Sequence, residues 1–474
     1  MALALAACLC FASGFLIVSL AWERQSSDLL LRASLAVGFG LGLFSVVFFV
    51  GRVFGLSHWI TVDFVVTAIL LAAYLPRRNR LSPTPSNTEQ ILPPWFRHTL
   101  IAALAIALGC ALYAAVRRAL AHPHGDGWDA FAIWNLHARF LFLGGPHWRD
   151  GFSPLIPWSH PDYPLLLPAA IAHFWGYLGH DDPSVPAVVG FLFEFSTVAL
   201  LFSALARLRG STSAMLGSIA LLLTPSFLEL GAWQYADIPL SFFFLATLAL
   251  LHLQDDEHSR LGARPGSLGF LVLAGLSAGF AAWTKNEGVL FLCSLVIARP
   301  VILLFRRDAS NDPSGEPRAR QIAPFLLAAA PIFLLIIYFK RFVAPPGDLF
   351  SALGTILHRL LDPARYSTIL HWMWSTKAFV VFGQWALIPA PLVMLGYAFI
   401  TRGKRRIDRT FRISVLALAL TLAGYFVIYV ITPYDLLWHL RFSFVRLCLQ
   451  LWPSAIFLFF LKVPGRPDAT ANAS

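Results

Sequence analysis

The stretch YPLLLPAAIAHFWGYL, residues 163–178, decides how this chain is threaded. It is apolar enough for lipid, but it is short and carries Pro164, Pro168 and His173. A helix needs about 20 apolar residues to cross a bilayer. The stretch could therefore span, or lie along the interface. The runs on either side are less ambiguous. Apolar spans read near 2–21, 29–50, 57–75, 98–118, 186–206, 212–230, 238–254, 267–284, 288–305, 322–340, 376–400, 412–433 and 446–462.

Charge resolves the ambiguity. If 163–178 does not span, Arg77, Arg78, Arg80 and Arg97 share a side with Arg207 and Arg209. Arg306, Arg307, Arg318 and Arg320 fall there too, as do Arg402, Lys404, Arg405, Arg406, Arg409, Arg412, Lys462 and Arg466. Short cytoplasmic loops carry such an excess of Lys and Arg. Letting 163–178 span would scatter these clusters over both faces. The reading is thus a juxtamembrane helix within about thirteen spans, with the N terminus outside and the C terminus inside. The same parity gathers Asp129, Asp162, Glu229, Asp237, Lys285, Glu287, Asp435, His439, Arg441 and Arg446 on the opposite, non-cytoplasmic face.

Composition agrees. The chain of 474 residues is 58% hydrophobic and 13% charged. Soluble chains run at about 45–50% and about 25%, so lipid is the natural solvent here. The net charge of +11 fits basic cytoplasmic loops, and no nucleic-acid reader motif accompanies it. Cys8, Cys10, Cys110, Cys293 and Cys448 lie in apolar runs without CxxC spacing, as buried thiols do. The LAAC before Cys8 has the form of a lipoprotein box, but no basic n-region precedes it. The expected fold is an all-α polytopic bundle. Residues 1–76 form a three-span unit, 77–97 a cytoplasmic linker, 98–462 the main module and 463–474 a cytoplasmic tail.

Two outer loops are long, about 119–185 and 341–375. Loops of this length are usually functional or disordered. The first is rich in Trp, Phe, Pro and His, which is not a disordered composition. In GDGWDAFAIWNLHARFLFLGG (125–145), Asp129 precedes an amphipathic pattern suited to an interfacial helix. A cap is the bland explanation of Asp129. The same explanation covers Asp162 in SHPDYPLLLP (159–168) and Asp237 in WQYADIPLSFFF (233–244).

In WTKNEGVLF (283–291), Lys285 and Glu287 sit between two apolar runs with almost no loop. Charges at such depth mark functional pathways, although a hairpin turn also explains them. In TPYDLLWHLRFSFVRLCLQLWP (432–453), His439, Arg441 and Arg446 precede or enter the final span. Snorkelling is the alternative there. Lys285 and Arg446 are cations suited to a phosphate. His122, His124, His137, His147, His160, His173 and His180 crowd the first loop, but no zinc spacing appears, so no metal is expected. Nor is a P-loop, GxSxG or Rossmann fingerprint present.

These residues, in this order, resemble the GT-C superfamily of integral-membrane glycosyltransferases. The resemblance is to the branch of protein O-mannosyltransferases and aminoarabinose lipid A transferases. It runs over about 98–462. It rests on Asp129, Asp162 with Tyr163 and Pro164, Asp237 with Pro239, Thr284 to Gly288, and Arg446 to Pro453. It implies transfer of a sugar from a polyprenyl-phosphate donor to a glycan, lipid or protein, with inversion. Asp129 would be the general base. Lys285, His439 and Arg446 would hold the donor phosphate, while Asp162, Asp237, Glu287 and Arg441 would support the acceptor side or the cluster. It also implies an inner-membrane location and a site facing the periplasm or cell exterior. Three positions depart from the pattern: Ala130 follows Asp129, Tyr163 stands where a lysine is frequent, and Val445 stands where an acid is. The alternative is a transporter or flippase of a lipid-linked or anionic substrate.

Overall fold

The computed structural model describes residues 1–22, 28–56, 58–78, 93–261, 268–304, 318–347, 353–375, 390–401 and 408–463. Among these residues there are helices and turns and no strand. The α-helices run in order: α1 Ala2–Ala21, α2 Leu29–Val53, α3 Trp59–Arg78, α4 Pro94–Ala121, α5 Asn135–Leu143 and α6 Leu166–Leu178. Then come α7 Ser184–Arg209, α8 Ser211–Leu222, α9 Pro225–Ala232, α10 Asp237–Leu261, α11 Leu268–Thr284 and α12 Asn286–Leu304. The last are α13 Arg318–Phe342, α14 Leu353–Leu360, α15 Pro363–Ser375, α16 Ala390–Ile400, α17 Arg409–Ile431 and α18 Leu436–Lys462.

Nine of the described helices are long and apolar enough to cross a bilayer: α1–α4, α7, α10, α13, α17 and α18. The run expected as one span over 212–230 is broken into α8 and α9, bent by 68°. The cause is local. Thr224 precedes Pro225 and takes extended backbone, because the proline ring disfavours helix in the residue before it. Pro225 then opens α9, where its missing N–H costs nothing. Helices α11 and α16 fall within two further expected spans, and α12 overlaps a third, starting two residues before it. Residues 376–389 of the expected span 376–400 lie outside the described residues.

Burial orders the bundle. The span of α10 is 94% buried and that of α3 only 6%, so α10 forms the centre and α3 the rim. Phe242 and Phe243 of α10 meet Phe193 of α7 at 5.7 Å each, and Phe243 meets Phe280 of α11 at 5.7 Å. On the rim, Ile69, Leu75, Ile106, Leu112 and Leu327 are exposed. A contiguous apolar surface of this kind belongs against lipid.

Helix α6 is the observed form of the deciding stretch. Its 13 residues rise about 20 Å, too little for a hydrocarbon core of about 30 Å. Every residue from Leu166 to Trp175 is buried. It is therefore a helix packed inside the protein, not one lying on the surface as expected. The charges segregate to the two ends of the bundle. At one end Arg207 faces Asp28, Asp256 and Glu257 at 3.5–3.8 Å, and Arg209 donates to Phe460 O at 3.2 Å.

Candidate functional site

At the opposite end, Asp237 opens α10 in the centre of the bundle, wholly buried. A carboxylate there must be paired, and it is. Lys285 Nζ donates to its Oδ1 at 3.1 Å and Gln450 Nε2 to the same oxygen at 2.6 Å. Arg446 donates to Oδ2 from Nε at 3.1 Å and from Nη2 at 2.9 Å. Both bonds converge on one oxygen and are charge-assisted, which makes them stronger than neutral hydrogen bonds.

The cations are shared. Arg446 Nη2 lies 2.7 Å from Asp129 Oδ2, and Lys285 Nζ lies 2.9 Å from Glu287 Oε1. The result is one chain of charge, Asp129–Arg446–Asp237–Lys285–Glu287, drawn from four separate segments. Arg446 also lies 4.6 Å over the Tyr235 ring, and Lys285 lies 5.7 Å over Tyr163. Asp129 and Arg446 side chains keep about a fifth of their surface exposed, so the cluster opens at Asp129 and closes at Asp237. Arg446 Nη1 donates to none of the described residues.

Local sequence explains how these groups meet. Asp129 starts a π-turn, Ala130–Trp134, that runs into α5, and its carboxylate makes no cap hydrogen bond. Capping therefore does not account for Asp129. Gly127 precedes it with φ +86°, and a Cβ there would lie 2.5 Å from the Tyr235 hydroxyl. Only glycine fits that turn. Burial pushes the Tyr235 phenol up to about 12, with Asp129 adding to the effect. Tyr163 is held well above the usual phenol range by burial and then by Glu287, Asp162 and Asp129. Both therefore remain protonated donors. The turn between α11 and α12 is equally constrained. A Cβ on Gly288 would lie 1.8 Å from the Ala281 carbonyl oxygen, so the two helices approach closely and hold Lys285 and Glu287 between them.

Asp162 belongs to an adjoining cluster. Asn286 Nδ2 donates to its Oδ2 at 2.9 Å and Lys340 Nζ at 3.1 Å; Lys340 also donates to Asn286 Oδ1 at 2.8 Å. Asn286 is the neighbour of Lys285, so the two clusters are contiguous. Lys340 also reaches the Asp162 carbonyl. At Tyr163, where a lysine is frequent in the pattern, the ring stacks on Trp134 at 5.6 Å and 22°, and the cation beside Asp162 comes from α13.

Of the residues singled out in the sequence, Asp129, Asp162, Asp237, Lys285, Glu287 and Arg446 are brought together. His439 is not in the ion-pair chain: its Nδ1 meets Thr432 Oγ1 at 2.9 Å and its ring packs on Tyr429 at 5.0 Å. Arg441 is exposed and lies against Phe442. Asp435 is a true cap, accepting from Trp438 N at 2.8 Å. Four partners escaped sequence reading: Gln450, Tyr235, Asn286 and Lys340. Gln450 stands four residues after Arg446, on the same helix face, and that spacing was the available signal. Among the described residues no group of three His, Cys, Asp or Glu is placed to hold a metal. Asp126, near His122 and His124, pairs with Arg118.

A multi-span helical bundle with a shared-charge cluster at one end defines an integral membrane protein with a polar mouth at that end. Residues 185–342, α7 to α13, match the family model described as Dolichyl-phosphate-mannose-protein mannosyltransferase. Over this region the chain is thus similar to a GT-C family of membrane glycosyltransferases of mannosyltransferase type. The match contains Asp237, Lys285, Glu287 and Lys340; Asp129, Asp162 and Arg446 lie outside it. Comparison with curated proteins and with solved structures gave no match.

Proposed function

We propose that the protein transfers a hexosyl or pentosyl group from a polyprenyl-phosphate donor to a glycan, lipid or protein hydroxyl on the non-cytoplasmic face of the inner membrane. The observation that carries this reading is the Asp129–Arg446–Asp237–Lys285 chain at the mouth of the bundle. It sets a partly exposed carboxylate beside two cations that a buried carboxylate fixes in place.

In this reading Asp129 takes the proton of the acceptor hydroxyl. The hydroxyl oxygen forms a bond to the anomeric carbon, and the bond from that carbon to the phosphate oxygen breaks. The electron pair leaves with the lipid phosphate, and a single displacement inverts the centre. Arg446 and Lys285 stabilise the charge that develops on the phosphate. Arg446 Nη1 supplies a donor that none of the described residues engages. The incoming phosphate competes with Asp129 for Nη2, which releases the carboxylate to act as base. A base must come within about 2.6–3.2 Å of the proton-bearing oxygen, directly or through one water. Asp162, held by Lys340 and Asn286, lines the acceptor side.

A second observation supports a lipid donor. A cleft of about 280 Å³, lined by Tyr425, Tyr429, Phe444, Leu447 and Cys448 among others, lies between α17 and α18. Its Tyr425 hydroxyl donates to Gln450 Oε1 at 2.7 Å, and Gln450 in turn donates to Asp237. An isoprenoid chain in this apolar cleft would carry its head towards Arg446. The test uses purified protein in proteoliposomes with polyprenyl-phosphate sugars and candidate acceptors. Transfer with inverted anomeric configuration is expected from the native protein and not from Asp129→Asn. Full transfer by a folded Asp129→Asn protein would sink the assignment.

A further inference from the structure

Helix α3 carries an anomaly. From Ile60 to Arg77 it buries a single residue, and that residue is Asp63. Its apolar side chains, such as Phe64, Val65 and Ile69, are exposed to the lipid side. In a bilayer, apolar side chains gain little by leaving lipid for protein, so polar contacts decide how a helix docks. Asp63 Oδ2 meets His173 Nε2 at 2.7 Å and accepts from the Tyr177 hydroxyl at 2.8 Å. Both partners lie on α6. Two further polar contacts join α3 to α1: Thr67 Oγ1 to Ser13 Oγ at 2.8 Å, and Arg77 Nη1 to the Leu20 carbonyl at 3.4 Å near the helix end.

His173 is itself held firmly. It is 1% exposed, stacked on Phe44 at 4.9 Å and edge-on to Phe48 at 6.3 Å. Seven residues upstream α6 begins at Leu166, about 10 Å away along the helix. Immediately before it come Asp162, bound to Lys340 and Asn286, and Tyr163, stacked between Trp134 and His160. Helix α6 is thus a short rod. One end is tied by Asp63 to the N-terminal helices, and the other presents the Asp162 side of the candidate site.

We propose that Asp63 is a positioning residue: through His173 and Tyr177 it fixes α6 and so sets the place of residues 159–163 at the mouth. The N-terminal helices, which lie outside the family match, thereby become part of the working site. An intramembrane carboxylate is a functional marker by default, and here its partners name the element on which it acts. The proposal rests on the transferase reading only for its kinetic consequence; the geometric consequence is independent of it.

Hydrogen exchange on the full-length protein in nanodiscs tests it. In Asp63→Leu, exchange of the segment 157–166 is expected to rise roughly tenfold or more, the effect of losing hydrogen bonds to a charged group. The segment 237–261 should remain as protected as in the native protein. Asp63→Asn keeps an acceptor and should show a smaller rise. In the transfer assay Asp63→Leu should raise the acceptor KM and lower kcat while leaving the donor KM nearly unchanged. If the native protein transfers no sugar, the transferase reading fails and exchange alone decides this proposal. Unchanged exchange over 157–166 in a folded Asp63→Leu protein overturns it, as does a uniform rise everywhere. Should Asp63→Leu not fold, Tyr177→Phe removes one of the two hydrogen bonds, and the same two segments decide the outcome.

Discussion

Arg446 holds Asp129 at 2.7 Å through the same guanidinium nitrogen that lies 2.9 Å from Asp237. One side is wholly buried and the other partly exposed. The asymmetry divides the labour: Asp237 keeps the arginine in place, and Asp129 is the partner it can release.

The first prediction follows from that division. Asp129→Asn keeps the shape of the turn and leaves Arg446 paired to Asp237. Removing a general base costs about 10²–10⁴-fold in rate, so kcat should fall by at least about a hundredfold while thermal stability in detergent stays close to native. A fall in kcat accompanied by a large fall in stability would assign Asp129 to structure.

Asp237→Ala should behave in the opposite way. It leaves Arg446, Lys285 and Gln450 around an empty buried position. Removing one member of a buried ion pair costs about 3–5 kcal/mol, and a marginal membrane bundle should melt accordingly earlier. Combining Asp237→Ala with Arg446→Met removes the unpaired arginine and should recover part of the stability but none of the activity. Equal melting of the single and double variants would contradict the pairing.

Much of this site was legible in the chain because a charge at the end of an apolar run stands out. Asp129, Asp162, Asp237, Lys285 and Arg446 all stand out that way, and the distribution of arginines between loops assigns them to one face. What failed was angular resolution. Arg441 is five residues from Arg446, which turns it well away on a helix, and it lies in the open. His439 is seven residues away, on nearly the same face but about 10 Å along the axis. Lys340 resembled any snorkelling lysine at a span end. Asp63 is a lone acid inside an apolar run, a costly placement, but its partners, His173 and Tyr177, lie more than a hundred residues on and leave no local signal. The helices themselves were largely legible, and the break at Thr224–Pro225 could have been read from the proline alone.

Gly288→Ala tests the turn that presents Lys285 and Glu287. The new methyl would lie 1.8 Å from the Ala281 carbonyl oxygen, and neither backbone can yield without parting α11 and α12. Overpacking of this kind costs about 1–3 kcal/mol. Because Lys285 moves with the turn, the donor KM should rise as stability falls. Gly354→Ala, where the added Cβ meets nothing within 4 Å, serves as the neutral comparison. Matching behaviour of the two variants would show that the close approach is unimportant.

His137 gives the protein an acid sensitivity with a defined window. It is fully buried on α5, 3.4 Å from Ser159 Oγ and beside Phe152. Burial, with His160 nearby, pushes its imidazole down to about 3. An unfolded chain would titrate it near 6.5. Above that value the imidazole is neutral in both states and contributes nothing to the pH dependence. As the pH falls below it, the unfolded chain takes up a proton that the folded chain refuses, so stability declines until the pH reaches about 3. The loss is about 2 kcal/mol by pH 5. His137→Phe removes the titrating group and keeps an aromatic ring against Phe152. Melting temperatures in detergent should therefore fall more steeply with acidification for the native protein than for the variant. The difference should open below about pH 6.5. Parallel curves from pH 8 to pH 4 would mean that the folded chain protonates His137 as readily as the unfolded one.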